Sequence, residues 1–436
     1  MNSRISAVVR AARLVGCTFA LGGAVIACGV DASERASSMA DGASSDDAKQ
    51  KGRAAGVDGV SEEAAGVCGP SGPPDGAVLW NSDLKSASHF ESSSIASDAA
   101  GNVFHARRDT GVDKLSPDGV LLWHLAFGNV VTAHAQGDAY VGSGSAAAEA
   151  KVTKLDASGA TLWSLAVGNG TPQSIAVAAD RSVLISGQGL GTIRLDAQGQ
   201  VQWTKPFGGY VAFSASGDAL VTGSFEGTID LGAGPVVSRG REDAFIVRLS
   251  SEGTHRWSHI LGDADLPIAR PGSSGGTVTS PSDQQGKGIA EAPNGDVVVT
   301  GFAHNSIKLF GNDLATPYSN YVGELPLAYV ARLDPTGNVL WKTHGFTFRD
   351  VRGLAVDPSG NAIVSGGTIG NTRPYVLSWF KKYDPSGGTV WEFSERFGSG
   401  YADAVTTDGC GNILLALVTT PRPTEYPHAH VAKLRP

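Results

Sequence analysis

His428 and His430 stand one residue apart in an extended stretch, so they share one face of a strand, a spacing compatible with metal binding. No third ligand is identifiable in the sequence, an exposed structural pair is the favoured reading, and no metal is expected. Among four cysteines, Cys17 and Cys28 fall in an N-terminal leader. Cys68 and Cys410 remain, and an oxidising compartment would favour joining them. Glu226, Asp230, Asp263, Asp265 and Glu324 fall in three long segments, and a pair of them about 5 to 9 Å apart would suit glycoside hydrolysis. No Gly-x-Ser-x-Gly elbow, His-Glu-x-x-His helix, phosphate loop or vicinal cysteine pair accompanies them, so no catalytic residue and no cofactor is expected. A cation recurs at Lys114, Lys154, Arg194, Arg248, Arg332, Lys382 and Lys433. Such a set could gather an anionic ligand, or it could be structural, each head pairing with Asp156, Asp196, Asp334 or Asp384 nearby. Repetition in every unit favours structure, because an active site normally breaks the symmetry.

The elements that must carry these residues are spelled by a repeated phrase. It reads KLSPDGVLLW to Trp123, KLDASGATLW to Trp163, RLDAQGQVQW to Trp203, RLSSEGTHRW to Trp257, RLDPTGNVLW to Trp341 and KYDPSGGTVW to Trp391. A seventh copy is divided between the chain's ends, KLRP at Lys433 to Pro436 and PDGAVLW up to Trp80. An open stack has no need of a motif shared between its first and last units, whereas a ring does. Each unit reads as four strands. A turn such as GLAVDPSGN follows an inner strand, a β-branched run such as AIVSG comes next, a third strand ends in the cation and a fourth in Trp. The turn Asp and Asn residues lack the ligand density of a calcium loop and are read as turn formers. The expected fold is therefore all-β, a closed seven-bladed propeller of four-stranded antiparallel blades over residues 74–436, with residues 76–80 as the outermost strand of the last blade. In such a meander the first and third hairpin turns share a face, which would bring Cys68 beside Cys410.

Only 17% of the residues are charged and the formal net charge is -8, so no basic surface offers itself to nucleic acid. Residues 1–28 read as an export signal: Arg4, Arg10 and Arg13 precede an uncharged run too short to span a bilayer as a mature helix. Residues 29–73 contain no aromatic side chain and are expected to be a disordered tether.

Val25-Ile26-Ala27-Cys28 resembles the bacterial lipobox, which implies lipidation of Cys28, attachment to the membrane through that lipid alone, and, with Gly29 following, sorting to the outer membrane. AVDPSGNAIVSG and ARLDPTGNVLW resemble the repeats of bacterial seven-bladed propeller proteins. The D-x-x-G-x-x-x-W phrase is similar to that of quinoprotein-like propellers, whose tryptophans wedge between blades. That resemblance gives Trp80, Trp123, Trp163, Trp203, Trp257, Trp341 and Trp391 a blade-docking role. It includes an outer-membrane assembly lipoprotein that acts as a scaffold, and so implies a monomeric, non-catalytic binding or scaffolding propeller in the envelope. Its partner would be an envelope protein or a glycan; an enzyme acting on a glycan or other envelope polymer is the alternative.

Asymmetry locates the expected binding face. The fourth unit extends its second hairpin over Phe225–Asp243, and the fifth carries insertions at Asp263–Lys287 and Ala303–Leu327. Long loops on a rigid scaffold are where such folds bind. Phe225, Asp230, Arg270, Phe302, His304, Phe310, Tyr318 and Tyr321 are the binding-face candidates, with a small satellite core as the competing account of the aromatics.

Overall fold

The computed structural model describes residues 76–86, 92–108, 110–263, 266–269, 277–280, 283–304, 306–315, 318–319, 323–324, 327–345, 348–369, 376–419 and 428–436. The leader, Cys28, the tether, Cys68, Asp265, Arg270 and Tyr321 lie outside the described residues, and nothing is described of the Tyr318 and Glu324 side chains. Among the described residues there is no helix, and the sheet ladders are antiparallel throughout.

The first unit sets the pattern, with strands Ser92–Ser97, Val103–Arg107, Gly111–Leu115 and Leu121–Leu125 paired in sequence order. Later units open at Val130–Ala133, Thr171–Val177, Tyr210–Phe213, Gln284–Glu291 and Phe348–Val356. The strand Thr389–Thr407 serves two units in turn: Trp391 pairs with Lys382 on one side, and further along Val405 pairs with Leu415. The last sheet is finished by the chain's other end, where Val78–Ser86 pairs with His428–Leu434 from Val78↔Leu434 to Ser86↔His428.

Second and third strands are mostly buried, wholly so in Asp243–Leu249 and Ile413–Thr419, because neighbouring sheets cover both faces. Fourth strands lie at the outer edge, with Leu121, Leu122, Leu162 and Leu340 exposed. Among the described residues the buried apolar side chains form seven clusters, each between adjacent sheets with a tryptophan at its rim. One of them packs Ile95, Val103 and Leu115 of the first unit on Ala404, Leu414, Ala416 and Val431 of the last, beside Trp80.

The D-x-x-G turn gives those tryptophans a seat. Asp334 Oδ1 accepts from the Thr336 and Asn338 amides at 2.8 and 2.9 Å, and its carboxyl is held down at about 2 by the Thr336 hydroxyl and the Asn338 amide. The turn is thereby fixed, and Gly337, at φ +94°, lies against the Trp257 ring of the preceding unit. Trp257 Nε1 donates to Pro335 O at 3.0 Å; Trp80, Trp203 and Trp341 bond likewise to Pro117, Ser251 and Pro385 carbonyls at 2.8, 2.9 and 2.9 Å. In the first hairpin turn of the third unit, Arg181 takes the glycine's place at φ 65°, and its guanidinium reaches Asp138 at 3.3 Å.

The recurring cations correct one sequence expectation. Their heads do not pair with Asp156, Asp196, Asp334 or Asp384, which cap their own turns. Lys154, Arg248, Arg332, Lys382 and Lys433 instead meet carboxylates of the first hairpin turn, namely Asp138, Asp218, Asp296, Asp357 and Asp408, at 3.2, 2.9, 2.8, 3.0 and 2.9 Å. Register explains it: Val298↔Arg332 and Leu220↔Arg248 place each cation across from the start of the second strand, next to the turn that precedes it. Several also reach the next unit, as Arg332 Nη1 to Gly360 O at 2.7 Å and Arg194 Nη1 to Gly217 O at 2.6 Å.

Candidate functional site

Inner strands build the site through a recurring irregularity. Their pairing slips between Pro172 and Ser174, between Gly286 and Gly288, between Val351 and Gly353, and between Ala402 and Ala404. Each slip leaves one residue outside the ladder: Gln173, Lys287, Arg352 and Asp403. A β-bulge turns such a side chain away from the direction its neighbours take. All four line the same cavity, of about 280 Å³, together with Arg108, Tyr210 and Asp350. Just below, a second cavity of about 250 Å³ is lined by the inner strands of every unit, including Ile95, Val131, Ile175, Val211, Ile289, Leu354 and Val405.

Arg352 is the cavity's hub. Its Nη1 lies 2.6 Å from Asp403 Oδ1, its Nε lies 2.8 Å from Asp350 Oδ2, and its guanidinium stacks 3.8 Å from the centre of the Tyr401 ring. Burial opposes the charge, yet Asp403 and Asp350 together hold the guanidinium above its usual range. Lys287 differs. Its ammonium lies 5.1 Å over the Phe302 ring, burial pulls it below the usual lysine range with Asp350 acting the other way, and among the described residues no carboxylate stands within ion-pair distance. Both carboxylates of the cavity thus answer to Arg352, and Lys287 is left as a partly dehydrated cation.

From Lys287 a groove of about 540 Å³ runs outward to the long hairpin of the fourth unit. Phe225, Glu226 and Asp230 form its far wall, Tyr210, Gln173 and Gln285 its near end, and Gly187, Gly208, Gly209 and Gly223 its floor. A Cβ at Gly209 or Gly187 would fall 2.1 or 2.0 Å from a backbone oxygen, so close strand approach requires glycine there. The hairpin arms are Thr228–Asp230 and Pro235–Val237, and Asp230 Oδ1 closes their turn by accepting from the Gly232 and Gly234 amides at 2.7 and 3.1 Å.

The structure divides the sequence's binding-face candidates. Phe225 and Asp230 line the groove; Phe302 lies under Lys287 and meets His304 edge-on at 5.4 Å. Phe310 does not join them. At φ 50° it packs edge-on against His259 at 5.2 Å, and Lys342 Nζ holds the Leu309 and Phe310 carbonyls at 2.8 and 3.1 Å, as a satellite core would be held. Of the carboxylates weighed for hydrolysis, Glu226 and Asp230 line the groove, while Asp263 lies near the buried Asp243, whose carboxyl burial pushes up. Lys287, Asp350, Arg352 and Asp403 were missed by sequence reasoning. Lys287 had been placed at the end of an insertion, whereas it belongs to the inner strand Gln284–Glu291. The Gly-Lys-Gly triplet was the available signal, since glycines flanking a charged residue in a strand mark a bulge. His428 and His430 do share a face, and Asp83 of the N-terminal strand stands with them.

Against this geometry, known proteins supply a likeness of repeat and fold. A family model described as "Outer membrane protein assembly factor BamB" matches residues 70–210, under half of the chain. No curated protein matches the sequence. Similar solved structures include the WD40 beta propeller domain of Doa1, 11% identical over 82% of this chain and 96% of that one, with a TM-score of 0.48. The Pan2 WD40 domain of Neurospora crassa is 10% identical over 82% and 95%, with a TM-score of 0.49. A protein of unknown function from Bacteroides caccae is 14% identical over 61% and 85%, with a TM-score of 0.37. The chain is an all-β repeat protein built largely of four-stranded antiparallel sheets.

Proposed function

We propose that this protein is a closed seven-bladed propeller, exported and anchored through a lipid on Cys28 to the outer membrane, that binds an extended segment of an envelope protein without chemistry. Closure is supported by the apolar cluster joining the first and last units and by the cavity to which every inner strand contributes. A Cys68–Cys410 bond would secure that seam. Gly76 N donates to Arg435 O at 3.1 Å, and Gly411, next to Cys410, lies against Pro436.

One observation carries the binding reading: a glycine-lined groove that ends at Lys287, the cavity cation whose charge no carboxylate among the described residues offsets at contact distance. An acidic side chain or terminal carboxylate of a polypeptide laid along the groove would meet the ammonium. The enzymatic alternative draws on the same cluster of ionisable groups. Arg352 pairs with both Asp350 and Asp403, however, which leaves an anion receptor rather than an acid and a base.

The test is photo-crosslinking in the native envelope from position 226, in the parent and in Lys287→Met. A discrete protein adduct in the parent, reduced at least about tenfold in the variant, is the result expected for a lost charge-assisted contact of 1.5–3 kcal/mol. Equal adducts in both would move the binding site elsewhere, and no adduct from either, with polymer hydrolysis in solution, would establish the enzyme.

A further inference from the structure

His428, His430 and Asp83 come together at the seam between the chain's two ends. The register sets Asp83 directly across from His430, and His428 two residues along the same strand face. The two imidazoles stack at 19° with centroids 6.1 Å apart, and His428 Nδ1 lies 3.2 Å from Asp83 Oδ2. One nitrogen or oxygen from each of the three residues falls within 4.8 Å of the others. A simple Asp83–His428 pair would account for two of them. It leaves His430 Nδ1 shielded from solvent with no hydrogen-bond partner among the described residues, which is costly for a polar atom.

We infer that these three residues form a site for a divalent transition-metal ion of the zinc class. Two imidazole nitrogens and one carboxylate are the donor set that such ions take, and three protein ligands leave a coordination position for water. Zinc bonds of about 2.0–2.2 Å need the donors roughly 3.4 Å apart, so side-chain rotation by about an ångström closes the site. Neutral imidazole is the binding form. The consequence is structural. One ion would bind a ligand from the N-terminal strand and two from the C-terminal strand, clasping the last sheet across the gap between the chain's ends.

The full chain, purified in detergent without an affinity tag, is dialysed against Zn²⁺ and the bound metal counted, beside Asp83→Asn, His428→Gln and His430→Gln. One ion per chain is expected in the parent, with affinity at least about tenfold weaker in each variant. Zinc should raise the parent's melting temperature and leave the variants unmoved. Melting in chelator shows whether each variant is folded, and the two solvent-facing positions, 83 and 428, carry the test if His430→Gln is not. Less than stoichiometric zinc in the parent, or equal affinity in folded variants, overturns the proposal.

Discussion

The seat of each tryptophan in the next unit's turn can be measured with two glycines that differ in one respect. Gly337 and Gly217 both hold positive φ, +94° and +80°. A Cβ at Gly337 would come within 2.9 Å of Trp257 Cδ2 and 3.0 Å of Cγ, whereas a Cβ at Gly217 meets nothing within 4 Å. Alanine at either position incurs left-handed backbone strain of about 1–2 kcal/mol, and loses about 0.4–1 kcal/mol of that through a stiffer unfolded chain. Gly217→Ala should therefore be destabilised by up to about 1.5 kcal/mol. Gly337→Ala must also displace a ring that is pinned by its bond to Pro335 O, an overpacking term of about 1–3 kcal/mol. The two variants should differ by that amount in urea titrations of unchanged slope, which is the assay. Trp257→Phe combined with Gly337→Ala should recover part of the difference, giving a coupling of about 1 kcal/mol. Equal loss at positions 217 and 337, within about 0.5 kcal/mol, would refute the argument, because the ring would then move aside freely.

Arg332 is 1% exposed and its guanidinium satisfies Asp296, Gly360 O and Asn294. Arg332→Ala should cost about 3–5 kcal/mol by stranding the Asp296 carboxylate, and Arg332→Ala with Asp296→Ala should cost less than the sum; additive losses would show the pair to be uncoupled. His105 is wholly buried, and burial lowers it from 6.5 to about 4, so between these values the unfolded chain binds a proton that the folded chain does not. Its contribution to stability is complete above pH 6.5 and is lost as pH falls toward 4, amounting to about 2 kcal/mol at pH 5. His105→Gln should flatten the stability profile in that window, and a profile of unchanged slope would remove His105 as its source.

The architecture was legible because it is written many times over. Trp, Gly and a cation recur at fixed places, and each copy corrects the reading of the others. The cations' partners were misread because the nearest carboxylate in sequence was taken for the nearest in space, and strand register decides otherwise, setting Arg332 beside Asp296. The cavity residues were hidden for a related reason. A bulge shifts one residue out of the alternation, so Lys287, Arg352 and Asp403 leave no periodic trace. Asp83 eluded sequence reading because its neighbours, His428 and His430, come from the opposite end of the chain.

That last separation has a bearing on biosynthesis. Asp83 and His428 are 345 positions apart, yet their strands are adjacent, so Val78–Ser86 must wait for His428–Leu434. Until then Val78–Ser86 has no ladder, and Ile95, Val103 and Leu115 lack the half of their packing that Ala404, Leu414, Ala416 and Val431 supply. A chain broken off before His428 presents an open strand edge and bare apolar surface, the features that chaperones and proteases recognise. Completion of the last sheet thus doubles as a readout of translation through Leu434: Val78–Ser86 can pair only after His428–Leu434 exists.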